Sequence, residues 1–224
     1  MKKIFLLLVL VICAAGGVFA QSDFKTMPKN NVSVDIGPLM AGVGLGLMSG
    51  NGGFGFAAQY ERQLNEKISV GGRFAYLNYN LAGEYRSEKY ETTYNSYSFE
   101  VHAIVYPAAR VFFLDSMFGF AIFSGERIFD NWYYGSCEAS RFLLKIGEKV
   151  GWRIDFGKPG GFFFEPSVGL YYALGFGPSV DEQLQDYRSV IDNYDEADAF
   201  GQSLLESIIY VGGPRIGLNF GWRF

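Results

Sequence analysis

The chain has few of the residues that build disulfides, metal sites and many active sites. Its 224 residues include two cysteines and one histidine. Cys13 lies in an amino-terminal apolar segment, and the Ile12 before it is bulkier than lipoprotein processing usually accepts. Without that segment Cys137 has no intramolecular partner, and the lone imidazole, His102, cannot build a zinc site. We therefore expect no disulfide, no metal and no cofactor.

Long apolar runs and positive charge are also lacking. After Ala20 no stretch reaches the ~20 consecutive apolar residues that a membrane helix requires. The formal net charge of −4 offers no basic surface, so we expect no nucleic-acid partner. Aromatic residues and glycine are abundant instead, with 22 Phe, 15 Tyr and 29 Gly. Helical membrane spans are thereby excluded from the mature chain, whereas a membrane-spanning barrel is not.

The amino terminus has the pattern of an export signal. Lys2 and Lys3 precede an apolar run over residues 4–11, and a small residue, Ala20, closes the segment. This order is typical of a cleavable signal peptide. We predict a signal peptide at residues 1–20 and one domain at residues 21–224.

The last eleven residues alternate strictly between two faces. One face is entirely apolar and comprises Ile216, Leu218, Phe220, Trp222 and Phe224. The other face is small or polar and comprises Arg215, Gly217, Asn219, Gly221 and Arg223. Such a strand suits a transmembrane barrel, with aromatic side chains toward lipid and polar ones inside.

This ending resembles the assembly signal of bacterial outer-membrane β-barrels, which closes with alternating hydrophobic residues and a final Phe. The resemblance implies an outer-membrane location, contact with outer-membrane lipid and recognition by the barrel assembly machinery. As a motif it covers only the terminal strand. As a pattern it extends over nearly all of the mature chain, which is similar to the small OmpA-like and OmpX/OmpW-like barrels.

Seven earlier segments show the same period-two alternation. They are residues 32–47, 54–64, 68–79, 96–105, 111–123, 141–155 and 162–174. Short turns follow strands two, four and six, and longer connections follow strands three, five and seven. The sequence predicts an all-β fold, an eight-stranded antiparallel up-and-down transmembrane β-barrel with short periplasmic turns and longer outer loops.

Several local features qualify this prediction. Gly37-Pro38 interrupts the first strand and indicates a bulge, and Glu148 interrupts the apolar face of the sixth strand, which predicts a bulge or a shifted register. Residues 80–95 are polar and are expected to form an exposed loop. In the acidic connection 175–212, apolar residues at three- and four-residue spacing make an amphipathic helix plausible: Val180, Leu184, Tyr187, Ile191 and Tyr194.

The inward positions collect charges of both signs. The predicted lumen network comprises Glu61, Arg73, Glu100, His102, Asp115, Lys145, Lys149, Arg153, Glu165 and Arg223, with Asp35 and Arg215 on the same face. An eight-stranded barrel has room for little beyond its own side chains, and buried charges need partners. We expect a salt-bridged, filled interior with two specific contacts. Glu165 should pair with Arg223. Glu100 should lie opposite Asp115, and then either Arg73 or a lysine neutralises the two carboxylates or one of them carries a proton.

Catalysis is not expected. Ser98 or Ser116 could in principle join His102 and Asp115 in a hydrolase triad, but the chain has no nucleophile elbow. The default interpretation of His102 is a histidine hydrogen-bonded within a polar lumen. We therefore predict that the protein is not an enzyme.

Three functions remain open from the sequence. The first is a structural or surface-interaction scaffold, such as an adhesin, that displays loops to an extracellular ligand. The second is a narrow channel for small solutes. The third is a soluble periplasmic barrel of the lipocalin type, with its apolar residues inside and Arg73 and Arg153 outside.

Overall fold

The computed structural model describes residues 29–40, 43, 53–85, 88–108, 111–129, 136–156, 160–178, 180, 183–184 and 212–224. Within these residues the chain forms nine strands. They are β1 (Asn30–Asp35), β2 (Gly53–Gln63), β3 (Ile68–Tyr85), β4 (Glu88–Ala108), β5 (Phe112–Phe129), β6 (Ser136–Trp152), β7 (Ile154–Asp155), β8 (Phe162–Phe176) and β9 (Gly212–Arg223). No helix in the described part of the chain is long and apolar enough to cross a membrane.

The strands close into a ring of eight. Every pairing is antiparallel, the strands follow one another around the ring in chain order, and the pairing of β1 with β9 closes it. β7 continues β6 beyond Arg153, since both pair with β8. The fold is thus the predicted eight-stranded antiparallel up-and-down barrel, and closure leaves no open sheet edge around the ring.

The two ends of the ring differ. At one end the strands are joined by residues 64–67, 109–111 and 156–161, and the backbone of Asn30 pairs with that of Phe224 there. We call this the short-turn end. The opposite end carries two short connections, residues 86–87 and 130–135, and two long ones, residues 36–52 and 177–211, after which we call it the long-connection end. A glycine with positive φ, Gly160 (φ 92°), permits the last of the short turns.

Four strands are longer than the alternation predicted. Asn80–Tyr85 of β3 pair with Glu88–Thr93 of β4, so the exposed loop expected at residues 80–95 is wrong. β5 and β6 likewise extend to Phe129 and Ser136. The reason is that most outward residues beyond the apolar zone are polar, as at Glu91 and Thr93. The apolar alternation therefore stops while the backbone pairing continues.

The first strand is shorter than predicted. β1 ends at Asp35, and residues 37–40 are helical instead of forming a bulge. The Asp35 carboxylate accepts hydrogen bonds from the backbone N–H of Gly37 and Leu218, at 2.8 and 3.1 Å. These two bonds turn the chain away from the sheet. The predicted strand over residues 42–47 lies outside the described residues, apart from Val43.

The irregularity expected at Glu148 is absent. β6 pairs in continuous register on both sides there, Glu148 lying opposite Ser116 of β5 and Leu170 of β8. Ser116 Oγ donates a hydrogen bond of 2.8 Å to Glu148 Oε2, so the carboxylate keeps a partner without a bulge. The break in this wall falls instead at Arg153, between β6 and β7.

Burial alternates along every long strand. The outward residues are large, apolar and exposed, whereas the inward residues include most of the charges and several glycines. This distribution contradicts the lipocalin-type alternative, because Arg73 and Arg153 are buried inside the ring. The apolar side chains face outward, as expected for a barrel surrounded by lipid.

Candidate functional site: a charged interior beneath a protruding sheet

Glu100 is the centre of the interior network. Its carboxylate receives Arg73 Nη1 and Arg215 Nη1, each at 3.0 Å, and Lys145 Nζ at 3.1 Å. Gly119 lies between Glu100 and Lys145 in the strand register, and the missing side chain there leaves room for this contact. Arg73 also reaches Asp35, at 3.0 Å between Nη2 and Oδ2. Arg73 and Lys145 thus both compensate the negative charge of the Glu100 carboxylate.

His102 connects Glu100 to a second carboxylate. Its Nδ1 lies 2.9 Å from Asp115, and its Nε2 lies 3.5 Å from Glu100 Oε2. Lys149 Nζ contacts Asp115 Oδ2 at 3.0 Å. The expected placement of Glu100 opposite Asp115 is wrong, because Glu100 faces Gly119 and Asp115 faces Ile104. His102 is the next inward residue after Glu100 on β4, and its ring bridges the carboxylates of Glu100 and Asp115.

Arg153 organises the network near the short-turn end. Its guanidinium contacts Glu61 and Glu165, with Nη2 at 2.5 Å from Glu61 Oε2 and Nε against Glu165. The Tyr106 and Phe163 rings lie 5.3 and 4.9 Å from the guanidinium carbon, within cation–π range. Tyr106 also donates a hydrogen bond of 2.8 Å to Glu61. Rings, carboxylates and guanidinium together fill this end of the lumen.

The predicted pair between Glu165 and Arg223 does not form. Glu165 lies opposite Asn219 in the register and binds Arg153. Arg223 instead contacts Asp155 Oδ2 at 3.3 Å and Asn31 Oδ1 at 3.2 Å. Periodicity placed both predicted partners on the inward face, but the offset between strands set which charges meet.

An apolar cluster closes the lumen toward the long-connection end. It comprises Tyr79, Tyr94, Ala121, Phe123, Cys137, Ala139, Leu143, Val180 and Leu184. Val180 and Leu184 are helical and are only 0% and 1% exposed. Two of the apolar positions of the predicted amphipathic helix thus pack onto the barrel, whereas Tyr187, Ile191 and Tyr194 lie outside the described residues. We call the described residues of this segment, Pro178, Val180, Gln183 and Leu184, the cap.

The cap is held by polar contacts as well as by apolar packing. Gln183 Nε2 donates hydrogen bonds to the carbonyl oxygens of Ser140 and Pro178, both at 3.1 Å. A Cβ on Gly125 would overlap Val180 and approach Leu184 and Tyr94, so the bare glycine lets the cap sit close. Gly177, with φ 84°, turns the chain from β8 into the cap.

Beyond the ring the four middle strands continue as a sheet. β2 starts opposite Tyr79 and β8 ends opposite Phe142, so β3 to β6 extend past both. We call this extension, residues 80–85, 88–95, 124–129 and 136–141, the protruding sheet. Its outward face is mostly polar and includes Lys89, Glu91, Thr93, Asn95, Ser124, Glu126, Ile128, Glu138 and Ser140. Three of these side chains are carboxylates and one is a lysine. Sequence analysis missed this surface, because it assigned these residues to loops.

The outward surface of the ring itself has the dimensions of a bilayer core. On β6, two large outward aromatics, Phe142 and Trp152, lie ten residues apart. At 3.3 Å per residue this spans ~33 Å along the strand, and a tilt of about 40° reduces it to ~25 Å, the height of the apolar band of an outer-membrane-type barrel. Rings of Phe112, Trp152, Phe162 and Trp222 mark its short-turn border. The protein is a transmembrane β-barrel.

Comparison with known proteins adds likenesses of low identity. No family model and no curated protein matches the chain. One solved structure is that of Ail, the attachment invasion locus protein of Yersinia pestis, in complex with the heparin analogue sucrose octasulfate. Ail is 12% identical to this chain, and the match covers 89% of this chain and 100% of that chain with a TM-score of 0.49. Another Ail crystal structure gives 0.48 over the same coverage. CarO of Acinetobacter baumannii is 11% identical over 91% of this chain and 100% of that chain, with a TM-score of 0.37. The fold assignment rests on the strand pairing of this chain.

The interior charges contact one another. His102 lies fully inside, between two carboxylates that are already bound to cations. The described residues contain no group of three or more acidic, histidine or cysteine side chains that could hold a metal ion. Three successive layers occupy the lumen: the Arg153 contacts, the Glu100 network and the capped apolar cluster.

Proposed function

We propose that this protein is a non-enzymatic outer-membrane barrel that acts as a surface-interaction scaffold. The filled interior anchors the fold, and the protruding sheet is the binding surface. Residues 1–20 then serve as the export signal, the short-turn end faces the periplasm and the protruding sheet faces the exterior. The outward face of β9, ending in Phe224, is what the assembly machinery would recognise.

The observation that carries this proposal is the acidic outward face of the protruding sheet. Glu126 and Glu138 lie directly opposite each other on β5 and β6. Like charges so placed destabilise a sheet, and Glu91 adds a third carboxylate on the same face. A partner with a basic surface would relieve that repulsion. We therefore propose a positively charged macromolecular partner outside the cell.

Truncation of the β3–β4 hairpin of the protruding sheet tests the proposal. Replacing residues 82–91 by Asn-Gly links Leu81 to Thr92, which are register partners, through a two-residue turn. The purified barrel in lipid nanodiscs is measured against polylysine-coated and heparin-coated sensors. We expect wild-type binding to polylysine that is at least tenfold weaker after truncation, with heat-modifiable gel mobility unchanged.

A charge-only variant separates surface chemistry from shape. Glu91→Gln, Glu126→Gln and Glu138→Gln together should weaken polylysine binding at least tenfold, because they also remove the two carboxylates that the truncation leaves in place. Arg62→Gln, an exposed change near the short-turn end, should leave it unchanged. Wild-type binding to neither sensor, or equal binding by all variants, would contradict the proposed surface.

A further inference from the structure

Two side-chain amides on the inner wall of the barrel have polar atoms without a hydrogen-bond partner. Asn219 of β9 is 1% exposed, and neither its Oδ1 nor its Nδ2 has a partner among the described residues. Gln59 of β2 is 4% exposed, and its Oε1 is unpartnered in the same sense. Buried polar side-chain atoms nearly always have at least one hydrogen bond, so these atoms point to a ligand.

The strand register places the two amides on one continuous part of the inner wall. Asn219 lies opposite Asp35 of β1, and Gln59 lies opposite Ser33, the inward residue before Asp35 on the same strand. Gln59 also lies opposite Arg73 of β3. Side chains opposite each other in an antiparallel pair have Cβ atoms ~5 Å apart. Only the narrow β1 strand therefore separates Asn219 from Gln59.

Arg73 adds an unpartnered donor next to Gln59. Its Nη1 and Nη2 contact Glu100 and Asp35, each at 3.0 Å, whereas its buried Nε has no partner in the described part of the chain. We call the Asn219 amide, Gln59 Oε1 and Arg73 Nε the amide site. The site presents donors and acceptors together, which suits a ligand that both accepts and donates hydrogen bonds.

The groups around Asn219 leave room for a bridging molecule. Asp35 and Glu165 lie on either side of it in the register, and each carboxylate is bound to an arginine. The inward residues before and after it on β9 are Gly217 and Gly221, which bring no polar side chain to the amide. A carboxylate offers about four acceptor sites, so a small donor can still join the amide to these carboxylates.

Charge balance indicates that the ligand is neutral. The described ion pairs of the lumen join six cations to six carboxylates: Arg73, Lys145, Lys149, Arg153, Arg215 and Arg223 with Asp35, Glu61, Glu100, Asp115, Asp155 and Glu165. An added ion would be buried without a counter-charge. Buried water makes about three hydrogen bonds to groups that otherwise have no partner. We propose that the amide site binds ordered water that links Asn219, Gln59 and Arg73.

Nuclear magnetic resonance of the wild-type barrel in lipid nanodiscs tests the site directly. Cross-relaxation between water and side-chain protons reports water held in contact with them, and its sign in the rotating frame separates such contact from chemical exchange. We expect a contact cross-peak between water and the Asn219 Nδ2 protons. The methyl protons of Leu143, in the apolar cluster, should show none. Absence of the water cross-peak at Asn219 would overturn the proposal.

Asn219→Val gives an independent readout, because a hydrated and a dry site predict opposite signs. Valine removes both polar atoms of the amide. At a dry site this removal would raise the urea midpoint of unfolding, since unpartnered buried polar atoms destabilise the fold. At a hydrated site it takes hydrogen bonds from the bound water, and we expect the midpoint to fall by ~0.5 M. Leu218→Val, on the outward face of the same strand, should stay within ~0.2 M of the wild type.

Two further results would contradict ordered water at this site. The first is a midpoint of folded Asn219→Val that equals or exceeds that of the wild type. The second is a shift of the Asn219 amide signals when sodium is exchanged for potassium, or chloride for a larger anion, at constant ionic strength. That shift would assign the site to an ion. Heat-modifiable gel mobility verifies that each variant has folded.

Discussion

At the scale of single residues, Arg153 illustrates how a charge is tolerated inside this barrel. It has two carboxylates and two aromatic rings around it and almost no solvent exposure. A buried ion pair adds little net stability compared with an apolar replacement, but removal of one partner is costly, because the remaining charge loses its compensation. The carboxylates of Glu61 and Glu165 depend on the same guanidinium.

Arg153→Ala should therefore destabilise the folded barrel by about 3–5 kcal/mol. The change leaves Glu61 and Glu165 close together with their shared cation removed. Urea unfolding from lipid vesicles, followed by tryptophan fluorescence, measures the effect. Arg62→Ala, an exposed change on β2, should stay within about 0.5 kcal/mol.

Two further variants keep this prediction testable if Arg153→Ala fails to assemble. Arg153→Lys preserves the charge but loses the two-pronged contact, so its midpoint should lie between wild type and Arg153→Ala. Adding Glu165→Gln to Arg153→Ala should restore part of the lost stability. An unfolding midpoint of Arg153→Ala equal to that of the wild type would contradict the assigned role.

At the scale of elements, the cap packs onto side chains of the barrel strands. Val180 and Leu184 contribute apolar surface to a cluster that already contains residues of β3 to β6. Cys137 belongs to the same cluster and is buried. Its thiol therefore reports whether the cap is seated.

Leu184→Ala should increase the rate at which a maleimide labels Cys137. Truncating a buried leucine costs about 2–5 kcal/mol of packing, so we expect at least a tenfold faster reaction in folded protein. The labelling rate is followed by mass spectrometry. Leu170→Ala makes the same change on the lipid-facing surface and should not alter it. Equal rates in all three proteins would show that the cap does not protect the cluster.

At the scale of the whole molecule, the three layers of side chains in the lumen oppose the passage of solutes through the barrel. A solute would have to pass the Arg153 contacts, the Glu100 network and the apolar cluster in turn. Each layer is built from side chains that already contact one another. Small barrels are filled in this manner, whereas open channels need more strands.

We expect no sustained unitary conductance from the wild-type barrel in planar bilayers. Leu184→Asp loosens one layer only and should also stay closed, because the two charged layers remain. Reconstitution of both proteins with a porin as positive control checks this. Stable current steps that change in size with Glu100→Gln would support the channel alternative instead.

Sequence periodicity determined the fold class and which residues lie inside. Strict alternation on β9 and on the central parts of β2 to β8 assigned each side chain to a face, because successive strand residues point in opposite directions. The inward charges and outward aromatics of this barrel follow from that rule alone. The helical spacing of Val180 and Leu184 likewise indicated a local helix.

The tertiary structure decided which charged side chains pair in the lumen and how long the strands are. Glu165 meets Arg153 and not Arg223 because the contact depends on the offset between strands, which no single strand encodes. β3 and β4 continue past Asn80 and Thr93 because paired backbone groups need no apolar face once lipid is replaced by water. The closeness of Asn219, Gln59 and Arg73 also became evident only after the strands were placed side by side.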